Sequence, residues 1–552
     1  MSTGSAKLRR AADVVVVGSG INSLVCAALL ARRGWEVVVL ERAEELGGAV
    51  RSAELTLPGF RHDVFSAWHP LFVVSSAYSQ LGEDLRRHGL EYRCADAVTA
   101  TVFPDDDSRV LTRTRASNVD ELDRDASGDG GRFATDRDDF DAVGSAAMGL
   151  LGTDVVRATT GLLVVRTLRR HGRRTSLALL GSLAETARTW LERTFRSPAT
   201  RGLAAPWVLH TGLGPDAAGS GYMDRAIVAL LEQVGLPVPA GGASKLVEAL
   251  AGVVGAHGGV LRRGAEVTKI LVEDGRAHGV VLADGEVIGA RRAVVCNVPP
   301  PALYSRLLAD APLPAWAREA ASRFRFGRAG MQVHYALSRP PRWHGGSRLA
   351  EVPVVHVTGG LDAVSRAVGE ADRGLLPQAP TIVCGQPGAG DPQRAPAGSS
   401  VLWVQLQELP PRPRGDAAGA IDVGDGTWDT ALRERYADRV QASLARHIEG
   451  FESTVLARAV LSPADIERAN PNMVGGDIYS GACDLDQALA FRPRPELYGH
   501  ATPIRDLYEI GASTHPGPGL GAGSGTIVAE HLLGAERRRR LLRVSRLRDP
   551  GA

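Results

Sequence analysis

The sequence predicts an α/β fold: a doubly wound sheet, assembled from separated stretches of chain, joined to a discontinuous α+β domain. Three observations carry this prediction. A β-branched run near the N-terminus opens into a glycine turn, a helix and a second strand that ends in an acid. A second glycine pair comes just after that acid. A third glycine-dense loop stands near the other end of the 552-residue chain, again between a strand-like and a helix-like segment.

Length and composition set the outer limits. A chain of 552 residues exceeds what one hydrophobic core serves, so about two to three domains are expected. Apolar residues make up 44%, enough to fill large cores, and a formal net charge of +2 gives no bulk attraction to nucleic acid. Only three of the 64 basic residues are lysine (Lys7, Lys245, Lys269), which reads as coding bias and discounts arginine clusters as phosphate sites. The five cysteines lie far apart with no C-x-x-C pair, so neither a disulfide framework, a zinc site nor a dithiol centre is supported, and no metal is expected. Redox chemistry must then come from a bound cofactor. No apolar run reaches the roughly 18 residues that span a bilayer. Lys7, Arg9 and Arg10 imitate the start of a signal peptide, but Asp13 and the glycine turn interrupt the apolar stretch, and a cytoplasmic protein is expected.

The elements follow in order. Asp13 to Val17 suits a parallel strand buried on both faces. Gly18-Ser19-Gly20-Ile21-Asn22-Ser23 then turns into a helical stretch from Leu24 to Arg33. Gly18 permits the tight turn, Gly20 lets the backbone approach a pyrophosphate, and the unpaired amides of the helix N-terminus face the anion. Trp35 to Leu40 is the second strand, and Glu41 stands where a carboxylate accepts hydrogen bonds from a ribose. Ser23 replaces the third glycine of the Rossmann-type fingerprint, a mild enlargement at a helix–strand contact. The segment reads as a dinucleotide-binding unit; an ordinary βαβ unit with tight glycine turns is the alternative.

Glu41-Arg42 leads to Gly47-Gly48-Ala49, where small residues make room for backbone packed against a ligand longer than the first turn can hold. A middle block repeats the theme: Gly241-Gly242, a helical stretch to about Ala256, Gly258-Gly259, then a β-hairpin pattern through Val267 and Asp284-Gly285 to Asn297. Near the C-terminus, Ile504 to Ile510 reads as a strand entering Gly511-Ala512-Ser513-Thr514-His515-Pro516-Gly517-Pro518-Gly519, and Gly521 to Gly525, which contains Ser524, opens a helix ending near Leu533. Such a loop at a helix N-terminus supplies amides to the far end of a folded-back cofactor. FAD requires that second site, whereas a simple NAD dehydrogenase does not.

These segments together resemble the flavin amine oxidase and phytoene desaturase superfamily, whose members follow the first βαβ unit with a Gly-Gly element. The run from Gly511 to Gly519 is similar to that of the phytoene desaturase branch. Asn470-Pro471-Asn472, Gly475-Gly476-Asp477, Arg492-Pro493-Arg494-Pro495 and the stretch from Asp391-Pro392 to Gly398 are similar to the subgroup called pyridine nucleotide-disulfide oxidoreductase domain-containing protein 2, although this sequence lacks a redox-active cysteine pair. The likeness covers most of the chain and is sharpest in the three glycine segments. It implies FAD in a two-dinucleotide-binding, glutathione-reductase-like fold. The residues implied to hold it are Gly18, Ser19, Gly20, Ile21, Asn22, Ser23, Glu41, Arg42, Gly47, Gly48, Ala49, Val267, Asn297, Gly511, Ala512, Ser513, Gly521 and Ser524. Val267 is implied to hold the adenine edge through its backbone.

The interleaving implies discontinuous domains: 1–65, 236–300 and 496–535 for FAD, 66–235 and 301–495 for substrate, and 536–552 as a basic tail. Residues 140–200 read as mostly helical, while Gly330 to Leu337, Val352 to Val357 and Val401 to Leu406 read as strands of an antiparallel sheet. Asp105 to Asp139 reads as an exposed loop, and Gln378 to Ser400 and Pro410 to Gly426 as Pro/Gly-rich connections. Two basic stretches, Leu162 to Arg174 and Arg537 to Arg548, read as solvated or packed helix faces, with peripheral membrane contact as the less favoured reading.

A flavin takes hydride at N5 from a substrate C–H held roughly 3.5 Å away, so positioning suffices and no side-chain triad is needed. The implied activity is an FAD-dependent dehydrogenase or desaturase acting on a small or lipophilic metabolite, with oxygen, a quinone or another molecule as electron acceptor. A redox-neutral flavin isomerase and a non-catalytic flavin-binding regulator are the alternatives. His515 is the candidate for orienting substrate or moving a proton, or else for pinning its loop. His62, His69, Asn472 and Asp477 are candidates for the substrate cavity, with packing and turn roles as the other reading.

Overall fold

A computed structural model of the protein describes residues 10–151, 169 and 181–548, with 10, 142–151 and 537–548 as backbone only. Arg10–Val17 lies inside a seven-stranded sheet of order 267–273, 276–282, 287–296, 10–17, 37–40, 260–262, with 507–509 added beside 287–296. Strand 10–17 runs parallel to both its neighbours, and 507–509 runs parallel to 287–296. Strands 267–273, 276–282 and 287–296 form the antiparallel meander that the Asp284-Gly285 turn foreshadows. The β-branched run serves two cores at once: Val14 and Val16 face one, Val15 and Val17 the other. That is why it carries no polar alternation.

Helices Ile21–Ala31 and Ser244–Ala256 and the start of Gly523–Arg548 cover the first face. Phe72, Ala77, Leu81 and Leu85 pack into this same core, although they lie in the stretch expected in the second domain. Leu81 and Leu85, one turn apart, put an apolar stripe on helix Ser76–Arg87 that docks there.

A second seven-stranded sheet has the order 455–461, 329–337, 400–409, 382–385, 354–357, 97–102, 108–112. Its Ser400–Leu409 strand alternates from residue 402 to 406: Leu402, Val404 and Leu406 enter a core shared with helix Thr430–Ala445, and Trp403 enters another on the opposite face. Gln405 and Gln407 share the face of Trp403 by the same period of two.

The acid-rich stretch from Asp105 to Asp139 is not an exposed loop. It forms the edge strand Ser108–Thr112, the helix Arg115–Leu122 and the beginning of the helix Asp129–Leu151. Its acids serve as partners for buried groups. Arg109, 3% exposed, pairs with Asp107 and Asp125, and Asp129 accepts hydrogen bonds from the amides of Arg196 and Ser197. Composition misleads here because polar residues neutralised within the fold read like polar residues in water. Likewise Gln378 to Ser400 contains Ile382–Gly385, a buried interior strand. The basic stretch Leu162 to Arg174 lies outside the described residues apart from Arg169, and Arg537 to Arg548 continues the last helix. Among the described residues, no helix is long and apolar enough to cross a membrane.

A buried ion network ties the short strand pair Ser52–Ala53 and His62–Asp63 to the second half of the chain. Arg394 Nη1 donates to Asp63 at 2.8 Å and its Nε to Asp391 at 2.7 Å. Asp391 also accepts the amide of Gly241, and Asp63 the amide of Ala243 and the hydroxyl of Ser52.

Candidate functional site

Gly20 precedes helix Ile21–Ala31 without a side-chain cap, which leaves the first amides of the helix to a ligand. Ser19 then fixes the surroundings. Its amide and hydroxyl both donate to one oxygen of Glu41, at 2.9 and 2.7 Å, and its hydroxyl accepts the amide of Gly47 at 3.1 Å. The other oxygen of Glu41 accepts the amide of Ala43 at 2.9 Å. One serine thus ties together the first turn, the acid and the Gly-Gly element.

The first and the C-terminal glycine turns meet at Asn297, at the end of strand Val287–Cys296. Its amide donates to Val17 O at 3.0 Å, its Nδ2 to the hydroxyl of Ser23 at 3.0 Å, and its carbonyl accepts from Asn472 Nδ2 at 2.8 Å. A methyl group on Gly20 would stand 2.9 Å from Asn297 Nδ2, and one on Gly511 would stand 2.2 Å from its Oδ1. The starts of two helices remote in sequence are pinned side by side as well. Ser524 Oγ accepts the amide of Gly511 at 2.9 Å and donates to Asn22 Oδ1 at 2.7 Å.

These turns form one side of a continuous cavity of about 470 Å³. The glycine side is lined by residues 18–22, 41–43, 47–51 and 265–267 with Asn297, Ala512 and Ser513. Backbone amides that donate to phosphate, glycines without Cβ that give room and a fixed carboxylate that accepts from a ribose are what a dinucleotide needs, so the residues present fit FAD. The far side is walled by Trp68, Trp207 and Trp403 with Ile227, Leu230, Leu231, Leu236, Val354 and Val383. Set into that wall is a polar patch of Gln332, Gln405, Gln407, His210 and Tyr479.

Of the residues singled out from sequence, Gly18 to Asn22, Glu41, Arg42, Gly47 to Ala49, Val267, Asn297, Ala512, Ser513 and Asn472 line the cavity. Ser23, Gly511 and Ser524 stand one layer behind, holding Asn297 and Asn22. Gly521 belongs to the turn before the last helix and is not part of the lining. His62, His69, Asp477 and His515 do not line it either. His62 Nε2 lies 2.7 Å from the Thr56 hydroxyl, and His69 Nδ1 lies 2.9 Å from that of Tyr92. Asp477 accepts the amides of Gly327, Tyr479 and Gly481, an anchor for the loop that presents Tyr479. His515 is buried within the C-terminal loop.

Sequence reading missed the polar patch. Its signal was a pair of glutamines, two residues apart, in a strand from Val401 to Leu409 that is apolar apart from them and Glu408. Polar groups at a strand's own period belong to one face, and an interior strand offers that face only to a cavity or a partner.

The buried imidazoles carry a pH consequence. Desolvation, helped by the nearby Arg394 cation, pushes His62 down to about 4 and His69 to about 3; burial alone pushes His210 to about 3. In the unfolded chain these rings bind protons near pH 6.5, before the folded protein does. The stability they contribute is therefore complete above that pH and is lost as the pH falls toward the folded values. The melting temperature should drop steeply between pH 6.5 and 4, and His62→Gln should remove about 2 kcal/mol of that loss.

Comparison with known proteins agrees with this geometry. A family model described as flavin containing amine oxidoreductase matches residues 24–404. The chain is 27% identical to a Mus musculus protein named pyridine nucleotide-disulfide oxidoreductase domain-containing protein 2, over 95% of this chain and 94% of that one. It is 24% identical to a phytoene desaturase (neurosporene-forming) of Cereibacter sphaeroides, over 95% of each. Among solved structures, an oxidoreductase from Methanosarcina mazei shares the fold with a TM-score of 0.60 at 17% identity, covering 94% of this chain and 99% of that one.

Proposed function

This chain belongs to the flavin containing amine oxidoreductase family, and from that premise we propose that it dehydrogenates a small or lipophilic organic metabolite by taking hydride from a C–H bond. The protein is an FAD-dependent oxidoreductase of phytoene desaturase-like type. The observation that carries the finer reading is the continuity of the cavity, which runs from the glycine turns into a chamber walled by three tryptophans. When bound, FAD supplies the hydride acceptor that no side chain of this protein can be.

The remaining work falls to the chain itself. The amides at Ile21 and Asn22 receive the pyrophosphate, Glu41 the ribose, and the backbone at Val267 the adenine edge. Ala512 and Ser513, carried by the loop that Ser524 pins to Asn22, support the flavin end. Trp68, Trp207 and Trp403 exclude water and limit the poses open to a substrate, which is how proximity lowers the barrier. His515 serves the loop rather than the reacting atoms. The likeness to a protein named a phytoene desaturase supports formation of a carbon–carbon double bond. Oxygen, a quinone or a comparable acceptor then removes the electrons.

The test is anaerobic mixing of the FAD-loaded full chain with a metabolite panel. Bleaching of the yellow chromophore by at least one uncharged lipophile, reversed by oxygen or a soluble quinone, is the expected result. A protein that keeps its FAD and is bleached by nothing overturns the dehydrogenase reading.

A further inference from the structure

Two motifs of the sequence, Gly475-Gly476-Asp477 and Arg492-Pro493-Arg494-Pro495, take no part in the nucleotide turns, and the structure joins them. Arg492 is 1% exposed. Its Nε donates to the carbonyl of Ala512 at 2.7 Å. Its Nη1 donates to the carbonyls of Ala482 and Gln487 at 2.9 and 3.3 Å, and its Nη2 to those of Tyr479, Ser480 and Gly481 at 3.1, 3.4 and 3.3 Å. A guanidinium presents its N–H groups in one rigid plane, and here the whole fork is engaged by main-chain oxygens. Asp477, the acid of the other motif, holds the same segment through the amides of Tyr479 and Gly481 and fastens it to that of Gly327.

The two loops that Arg492 bridges belong to opposite ends of the cavity. Ala512 lines the glycine side, Tyr479 belongs to the polar patch on the far side, and Arg492 itself is not part of the lining. Between Asp477 and Leu497 the described chain forms no regular element beyond three-residue turns of 3-10 helix at 485–487, 489–491 and 495–497. No ladder of backbone hydrogen bonds fixes such a stretch, so its buried carbonyls need another donor, and Arg492 is that donor. Arg494, two residues on in the same motif, pairs instead with Glu496 at 3.5 Å.

We propose that Arg492 is a positioning residue, which locks the loop supporting the flavin end to the loop presenting Tyr479, so that filling the FAD site also orders the far end of the cavity. A bound cofactor restrains the loop of Ala512. That restraint passes through the guanidinium because a plane held by both loops cannot follow one without leaving buried carbonyls of the other unpaired. This inference rests on the reading of the cavity as an FAD site continuous with a substrate site.

The test is hydrogen–deuterium exchange of the full chain, read by mass spectrometry over 477–483 and 511–525, without FAD and with FAD at a concentration that fills the site. In the parent, FAD should slow exchange in both segments, by about tenfold in 477–483, the equivalent of one net hydrogen bond. In Arg492→Met, FAD should still slow 511–525 and leave 477–483 unchanged. Arg492→Lys keeps the charge but replaces the fork by a point donor; it should lose most of the effect, and it carries the test should Arg492→Met fail to fold. Arg494→Met is the control and should behave as the parent does. An arginine that serves stability alone lowers the melting temperature without changing the response to FAD. Protection of 477–483 that is as large in the Arg492 variants as in the parent therefore overturns the proposal. So does a parent in which FAD leaves 477–483 unaffected, or loss of all FAD uptake in Arg492→Lys, which would make Arg492 part of cofactor binding itself. Flavin bleaching is read separately. A chain that shows this coupling yet is bleached by no metabolite loses the dehydrogenase reading and keeps this one.

Discussion

A Gly511→Ala chain should purify colourless and take up added FAD at least a hundredfold more weakly than the parent. Gly511 has φ +114, a backbone conformation that L side chains rarely adopt, and its Cβ would stand 2.2 Å from Asn297 Oδ1. Backbone strain and overpacking each cost about 1–3 kcal/mol. A total of about 3 kcal/mol, expressed as movement of Asn297 and of the loop carrying Ala512 and Ser513, corresponds to about two powers of ten in affinity. The clash cannot be relieved cheaply. Asn297 is held by Ser23, Asn472 and Val17 together, so displacing it shifts both nucleotide turns. Gly255→Ala is the matched control: it lies within helix Ser244–Ala256 with nothing near its Cβ, and it should leave uptake intact while stabilising the fold by about 0.5–1 kcal/mol. Equilibrium titration with FAD reads both.

Arg394→Ala should lower the stability of the whole protein by about 3–5 kcal/mol, measured by thermal or denaturant unfolding. Its side chain is 1% exposed and bridges Asp63 and Asp391, whose side chains are 1% and 0% exposed. Removing the cation leaves two carboxylates in a dry environment. Their remaining partners are chiefly backbone amides and the hydroxyl of Ser52, besides Arg93 at 3.5 Å from Asp391. The contrast is Arg325, whose side chain is 46% exposed and pairs with Asp484 and Asp486; its replacement should cost less than about 1 kcal/mol. Both arginines make two ion pairs. Only the buried one matters, because solvent replaces the other.

The nucleotide side of the cavity was legible in the sequence because its determinants are local. A strand buried on both faces, a glycine where backbone must come close and an acid after the second strand each act within a few residues, and so leave a pattern at fixed spacing. Gly18 to Asn22, Glu41 and Gly47 to Ala49 lie where that pattern places them. Histidines at positions 62, 69 and 515 were drawn forward by their place in family-like segments and by their chemistry, and each is buried without being part of the cavity lining. Residue type says what a side chain can do; it does not say which space the side chain faces. The acids between Asp105 and Asp139 illustrate the same gap, since pairing with Arg109 or with the amides of Arg196 and Ser197 depends on chain far away.

By itself the sequence determined the α/β class, the folded-back dinucleotide site and FAD, since each rests on backbone conformation and short-range periodicity written into consecutive residues. Only the tertiary structure decided that Asn297 is where the first and the last glycine turns meet. It alone brought Tyr479 and His210 against Gln407 of the Ser400–Leu409 strand in the cavity lining. Tyr479, His210 and that strand come from separate parts of the chain, and their proximity is a product of strand order and packing, for which no local spacing exists.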